Sequence, residues 1–380
     1  MRLVIDGRYL SHRPSGIGSY IRALIARLPE LAPDIPFRLW VGDELADRDR
    51  AAPRVQLHTV SSHPNGLMTL AGLWALDRLG PKDLFHAPAN VLGFGLPCPS
   101  VVTVHDLMWL ERPNDCQPAP CLRPISRAYY RIGIKRALRK ARRILTVSHA
   151  SARAIEREEP SAAGKIVVTH NAVEPFFQRP ADRSIARKSA ARVLGFNDDY
   201  LVIVGQNQPT KGHEVALRAF ADVKIAKLKL VLVQRLAPGI GLLKLALKLG
   251  LGERVRFVAE LKLDELVTVM QSARALLQPS YAEGFGLPVL EAVACGCPVI
   301  ASAIPALQEV LEDAAIYAPA GDVHAWATAI EGLMSNPDLD ARLRATGLER
   351  AKWFSWDRTA RATIGAYREV LAEEGRVRGP

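Results

Sequence analysis

Two carboxylates, Glu283 and Glu291, are separated by seven residues, and a Gly284-Phe285-Gly286 turn lies between them. A short apolar run, Ala275-Leu276-Leu277, precedes the turn, and Pro288 opens a helix-like segment that closes at Gly296. Proline suits a first helical turn and glycine the far end. The loop should therefore bring the backbone N–H groups of Gly284, Phe285 and Gly286 to a helix tip, where unpaired donors and the helix dipole attract an anion. Glu283 then stands just ahead of this cradle and Glu291 roughly one turn into the helix. A diphosphate held at the tip, with polyol rings reaching a glutamate on either side, fits that order of groups. The chemistry is that of a sugar nucleotide.

Other stretches carry groups of a related kind. Val101–Leu107 reads VVTVHDL, an apolar strand ending in His105 and Asp106. Ligands collect at the carboxyl ends of parallel strands. The pair therefore either binds hydroxyls or manages a proton near neutral pH, or else is a satisfied structural feature. In VGQNQPTKGH, Val204–His213, Lys211 is either a solvated loop lysine or a cation that neutralises a departing diphosphate. Ser15–Tyr20 reads SGIGSY ahead of an amphipathic segment, but Ile21 stands where the dinucleotide fingerprint needs a third small residue. Gly16 is thus a plain turn or a point where backbone approaches a ligand. Asn171, in VTHNAV, reads as a turn former. Two literal D-x-D strings, Asp47–Asp49 and Asp338–Asp340, fall in a charged loop and at a polar helix start, so no metal site is expected.

The E-x7-E spacing, joined in register to GFGLP and ACGCPVIAS, closely resembles the signature of the retaining, GT-B-fold glycosyltransferases of family four. SGIGSY, the His of VVTVHDL, and Gly205, Pro209 and Lys211 also match, and the likeness extends over about four-fifths of the chain. The resemblance implies that Glu283 contacts the transferred sugar, Glu291 the ribose, and the backbone of Gly284, Phe285, Gly286 and Leu287 the phosphates. It implies further that His105 contacts the donor sugar, that Lys211, Gly205 and Gln206 flank the donor's diphosphate, that Gly16, counted with the donor-binding residues, lets the acceptor-side loop approach, and that Val258 meets the base. Asp106 would orient its neighbour or bind the acceptor, and Asn171 would lie near the hinge. The family works without a divalent ion or other cofactor. Its members usually carry an Arg where this chain has Gln206 or Thr210, and Gln lacks Arg's charged, bidentate fork. Either another cation replaces it, Arg235 being the nearest, or phosphate affinity and turnover are reduced; Val233-Gln-Arg-Leu also stands where many relatives have a glycine-rich turn.

Elements able to position these groups follow from the alternation of short apolar strands with helical patterns, which predicts α/β units with parallel sheets. Strands are expected at Leu3–Asp6, Phe37–Val41, Leu84–Ala87, Ser100–Val104, Ile144–Val147 and about Lys165–Thr169, with helices at Ser19–Leu28 and Pro124–Arg142. The pattern restarts with strands at Tyr200–Val204, Lys229–Val233, Val255–Val258, Ala275–Gln278 and Val299–Ala301, and helices at Asp322–Ser335, Asp338–Trp353 and Trp356–Glu374. The proline-bearing stretch Val173–Asp182 reads as a linker. The expectation is a GT-B architecture: two Rossmann-like, doubly wound domains facing a central cleft, residues 1–175 and 176–355, with 356–380 crossing back onto the first.

At 380 residues and 49% hydrophobic content the chain is large enough for two such cores. No apolar run reaches the ~20 residues that span a bilayer, and Asp6 interrupts what would be the centre of a signal peptide. Five cysteines without a C-x-x-C pair read as reduced thiols, so a cytoplasmic setting is expected. A net charge of +11 calls for an anionic partner. Arg127, Arg131, Lys135, Arg139 and Arg143 recur every fourth residue, either as a solvated face or as a surface for anionic inner-leaflet lipids. No zinc-finger, RRM-like or helix-turn-helix pattern favours nucleic acid. The expected partners are a nucleotide-sugar donor and a glycan or lipid-linked acceptor in polysaccharide synthesis. Open alternatives are a sugar-nucleotide epimerase or phosphorylase on the same scaffold, and a degenerate basic binding protein.

Overall fold

The structure, a computed structural model, describes residues 2–10, 15–43, 45, 54–72, 77–116, 120–234 and 240–376. The chain divides into two compact units, Met1–Asn171 with Ser355–Pro380, and Ala172–Phe354. In the first unit, apolar runs form β1 (Leu3–Asp6), β2 (Phe37–Val41), β3 (Val55–Thr59), β4 (Leu84–Ala87), β5 (Ser100–Val104), β6 (Arg143–Thr146) and β7 (Ile166–Val168). All pair in parallel, in the order β3-β2-β1-β4-β5-β6-β7. β1, β4 and β5 are buried along their whole length, as strands covered by helices on both faces must be. Those helices include α1 (Gly16–Ile25), α2 (Arg123–Lys140) and α3 (His149–Glu158).

The second unit repeats the plan with β8 (Tyr200–Val204), β9 (Lys229–Val233), β10 (Val255–Val258), β11 (Ala275–Gln278), β12 (Val299–Ser302) and β13 (Ala315–Ala318). Their order, again parallel, is β10-β9-β8-β11-β12-β13. Among its helices are α4 (Arg183–Leu194), α5 (His213–Asp222), α6 (Leu287–Ala294), α7 (Val323–Ser335) and α8 (Pro337–Lys352). Phe220, Leu230, Leu277, Trp326 and Ile330 fill this core, as Trp40, Phe85, Val102, Ile134 and Leu138 fill one face of the first. Each such side chain, taken out of water, contributes about 1.5–3 kcal/mol. The last helix, α9 (Trp356–Arg376), belongs to the first unit. There Tyr367 Oη lies 2.7 Å from His86 Nδ1, and Arg143 pairs with Glu369 at 2.9 Å and with Glu373.

Two doubly wound, Rossmann-like units are what the alternating pattern implies. In each, the winding reverses beside the first strand, between β1 and β4 and between β8 and β11. Such switch points open crevices at the carboxyl ends of the strands, where α/β sheets bind ligands. Boundaries differ in places. α1 starts at Gly16 because Ser15 caps it, its Oγ accepting from Gly18 N at 2.9 Å. β6 starts at Arg143, which removes that residue from α2 and from the expected helical stripe.

The stripe is corrected further. Lys135 pairs with Glu158 at 3.0 Å and Arg139 with Glu159 at 2.6 Å, so with Arg143 three of the five cations are met by anions of their own unit. Arg127 and Arg131 remain exposed, with no ion-pair partner among the described residues. No described helix is long and apolar enough to cross a membrane.

Candidate active site

In the second unit, the loops after β8 and β11 meet at the switch point. Pro209–Lys211 forms a single 3-10 turn after β8 and ends on Gly212, whose φ of +63° is left-handed. A Cβ at Gly212 would stand 2.0 Å from Pro279 O, so only glycine lets the two loops come this close. Tyr281 N donates to Thr210 O at 2.8 Å and seals the contact. As a result Lys211 Nζ lies 2.8 and 2.9 Å from the two carboxylate oxygens of Glu283. Glu283 Oε1 also accepts from Gln278 Nε2 at 2.8 Å and from Ser280 Oγ at 2.7 Å. Three donors thus hold the carboxylate in one orientation, and on Oε2 only Lys211 competes with a ligand among the described residues.

Thr210 is buried and its Oγ1 has no partner among the described residues, whereas Gln206 is partly exposed and binds Gln208. Of the two positions where relatives carry Arg, only Gln206 is open to solvent. Arg235 lies outside the described residues. Gln234 is buried; its N–H donates to Val258 O at 2.9 Å and its Nε2 lies 3.0 Å from His213 Nδ1. Val258 is therefore already engaged through its carbonyl. Gly205, at the end of β8, donates to Val233 O at 3.1 Å.

The helix tip at the expected cradle is enclosed by its own unit. Gly284, Phe285 and Gly286 are all buried, and Gly284 and Phe285 have partners of their own. Phe285 stands edge-on to Phe354 at 5.4 Å and anchors the turn. Gly286 caps α6 with a φ of +94°, and a Cβ there would meet Leu307 at 2.6 Å. Among the described residues the N–H groups of Gly286 and Leu287, two of the four backbone positions assigned to the phosphates, have no partner. Glu291 lies in the second turn of α6; it keeps some exposure, yet the surrounding protein displaces enough water to raise its carboxyl to about 7.

The remaining candidates lie in the first unit. His105 follows β5 and is partly buried; desolvation brings its imidazole down to about 4. Asp106 Oδ1 accepts from Met108 N at 3.0 Å, a local turn contact. Gly16 is the exposed first residue of α1, and the glycine that packing demands is Gly18, where a Cβ would meet Ser15 Oγ at 2.8 Å. Asn171 has no left-handed backbone and is buried with Oδ1 unpartnered among the described residues, so turn formation does not explain it. Asp340 is held by Arg344 at 2.7 Å, and Asp47–Asp49 lies outside the described residues. Sequence reasoning missed Gln278, Ser280, Gly212 and Asn90. The Lys-Gly adjacency signalled Gly212; the others carry no local signal, because their partners come from other loops or later turns.

Two parallel Rossmann-like sheets, with a lysine–glutamate pair at the switch point of the second, define an α/β protein of the GT-B class. Residues 186–350 match the family model for glycosyl transferases group 1, and residues 14–175 that for glycosyltransferase family 4. The chain belongs to the group 1 glycosyltransferases. Among curated relatives, D-inositol 3-phosphate glycosyltransferase of Streptomyces scabiei is 30% identical over 80% of this chain and 72% of its own length. The protein of the same name from Mycolicibacterium paratuberculosis is 32% identical over 72% of this chain, and the match spans 62% of that relative's length. Sucrose-phosphate synthase from Thermosynechococcus elongatus shares the fold with a TM-score of 0.75 at 21% identity, covering 98% of this chain and 100% of that one. WaaG, a glycosyltransferase involved in lipopolysaccharide biosynthesis, does so with a TM-score of 0.73 at 16% identity, covering 96% and 98%.

Proposed function

We propose that this protein is a glycosyltransferase that moves a hexose or deoxyhexose from a nucleoside diphosphate to a hydroxylated acceptor, with retention of configuration and without a divalent ion. The observation that carries the reading is the Lys211–Glu283 pair at the switch point, beside the unpartnered N–H groups of a left-handed glycine cap. A diphosphate draws Lys211 towards itself and frees Glu283 Oε2 for a sugar hydroxyl, while Gln278 and Ser280 keep Oε1 in place. The ammonium and the helix tip then stabilise charge on the departing phosphate. Glu291 accepts from ribose hydroxyls one turn along, and His105 contacts the transferred sugar. A solved relative, HepE from Anabaena, is in complex with UDP and glucose, which supports UDP as one nucleotide to try beside GDP, dTDP and ADP.

Acceptors to test are glycans, lipid-linked sugars and, given the curated relatives' name, inositol 3-phosphate. Lys211→Ala and Glu283→Gln should each lower transfer about 10²–10³-fold. A nucleoside diphosphate at 100 times its Kd should stabilise the parent by about 2.7 kcal/mol. No stabilisation by any of the four nucleotides, and no transfer, would defeat the reading; donor turnover without acceptor would mark an epimerase.

The protein docks on anionic membrane through Arg127 and Arg131, flanked by exposed Leu122, Ile125 and Ile132. Arg131 and Ile132 also line a shallow hollow of about 380 Å³ with Phe94, Lys135 and Arg136. Arg127→Gln with Arg131→Gln should abolish co-sedimentation with phosphatidylglycerol vesicles, and Lys135→Gln with Arg139→Gln should not. Unchanged binding in the first pair sinks the docking surface.

A further inference from the structure

His105 is held at every hydrogen-bonding atom but one. Its N–H donates to Asn90 Oδ1 at 2.7 Å, its carbonyl accepts from Ser151 Oγ at 3.1 Å, and its Nε2 lies 2.8 Å from Pro88 O. Its ring meets Tyr20 edge-on, with centroids 5.1 Å apart and planes at 89°. A backbone carbonyl only accepts, so Nε2 must carry the proton and Nδ1 is left as an acceptor. Nδ1 has no partner among the described residues. Desolvation keeps the ring neutral at pH 7, which preserves this division of roles.

The clip that sets the geometry is Asn90. It is buried and has a φ of +62°, a left-handed conformation that Asn adopts far more readily than most side chains. Its N–H donates to Thr103 O at 2.9 Å while its Oδ1 accepts from His105 N. The two bonds fasten the loop after β4 onto the end of β5. They thereby bring the carbonyl of Pro88, two residues upstream, opposite the imidazole. A residue without Oδ1 keeps neither the second bond nor the register it imposes.

We propose that Asn90 is a positioning residue that fixes His105 in the Nε2–H tautomer, so that Nδ1 is presented as an obligate acceptor for one hydroxyl of the transferred sugar. This rests on the reading of His105 as a donor-sugar contact. It also sets specificity: a sugar that lacks that hydroxyl, or carries a keto group there, leaves the acceptor unsatisfied and is rejected.

The tautomer is read directly by long-range proton–nitrogen NMR on ligand-free, full-length protein labelled with 15N-histidine, with His105 assigned by its loss in His105→Gln. The parent and Asn90→Asp, which keeps the acceptor, should show the proton on Nε2. Asn90→Gly, which tolerates the backbone but lacks the acceptor, should show mixed tautomers. In transfer assays with whichever nucleotide sugar the parent uses, Asn90→Gly should lose about 10–100-fold in kcat/KM, as expected for a misplaced contact. Asn90→Asp should stay within about threefold. A proton on Nδ1 in the parent overturns the proposal, as does an Asn90→Gly protein with unchanged tautomer and turnover. Neither NMR result depends on a donor, so such a failure leaves the transferase reading standing. A parent that turns over no nucleotide sugar overturns that reading, and with it the sugar hydroxyl as the partner of Nδ1.

Discussion

Glu291, proposed above to bind ligand, also carries an energetic cost. Burial raises its carboxyl to about 7, above the ordinary 4.5. A raised acid favours the fold while protonated, so its contribution is complete below pH 4.5 and is lost as pH rises through 7. Glu291→Gln should therefore match the parent near pH 4 and exceed it at pH 8 by on the order of 1–3 kcal/mol in urea unfolding. Gly212 offers the opposite case, because both its backbone and its surroundings exclude a methyl group. Gly212→Ala should destabilise the second unit by on the order of 3 kcal/mol, read as a fall in its unfolding midpoint. Residues such as Glu283, Glu291 and Lys211 were legible because their spacing relative to glycines encodes one loop at a time. Gln278 and Asn90 were not: Asn90 meets His105 only after β4 and β5 have paired, and Gln278 meets Glu283 only once the turn after β11 has closed.

At the scale of elements, the buried strands are the plainest part of the sequence. β1, β4, β5, β8 and β11 are short, almost fully buried runs dominated by apolar residues, because both faces of each sheet are covered. The strands that escaped notice, β3 and β13, are both edge strands and are incompletely buried, with the sequences VQLHT and AIYA. The buried polar thread that ties α1, β4, β5 and α9 was equally silent: Tyr20 to Thr103 at 3.0 Å, Thr103 to His86 at 2.8 Å, and His86 to Tyr367 at 2.7 Å. Tyr367→Phe leaves a buried ring nitrogen unpartnered and should cost about 1–3 kcal/mol, measured by urea unfolding. Burial lowers His86 to about 3, and His105 and His213 to about 4. Because these lie below the unfolded 6.5, the stability involved is intact above pH 6.5 and is lost as pH falls towards 4 and then 3. The urea midpoint should therefore drop steeply over that window, and more gently in His86→Asn.

For the molecule as a whole, the second unit is one continuous stretch, Ala172–Phe354, whereas the first is assembled from both ends of the chain. A fragment spanning 172–354 should unfold cooperatively by itself in calorimetry. A chain ending at Phe354 should keep that transition and lose the first unit's, since it lacks Tyr367, Glu369 and Glu373. Survival of both transitions in the shortened chain would show that α9 is dispensable. The same arrangement dictates an order of events on the ribosome. The seven-stranded sheet emerges first, yet its closing segment is translated only after the whole six-stranded partner has been synthesised. At about 5–20 residues per second, the earlier half must wait on the order of ten to forty seconds with the His86 imidazole and the Arg143 guanidinium uncovered. Newborn chains are thus most exposed to chaperones and proteases while their later half is still being made.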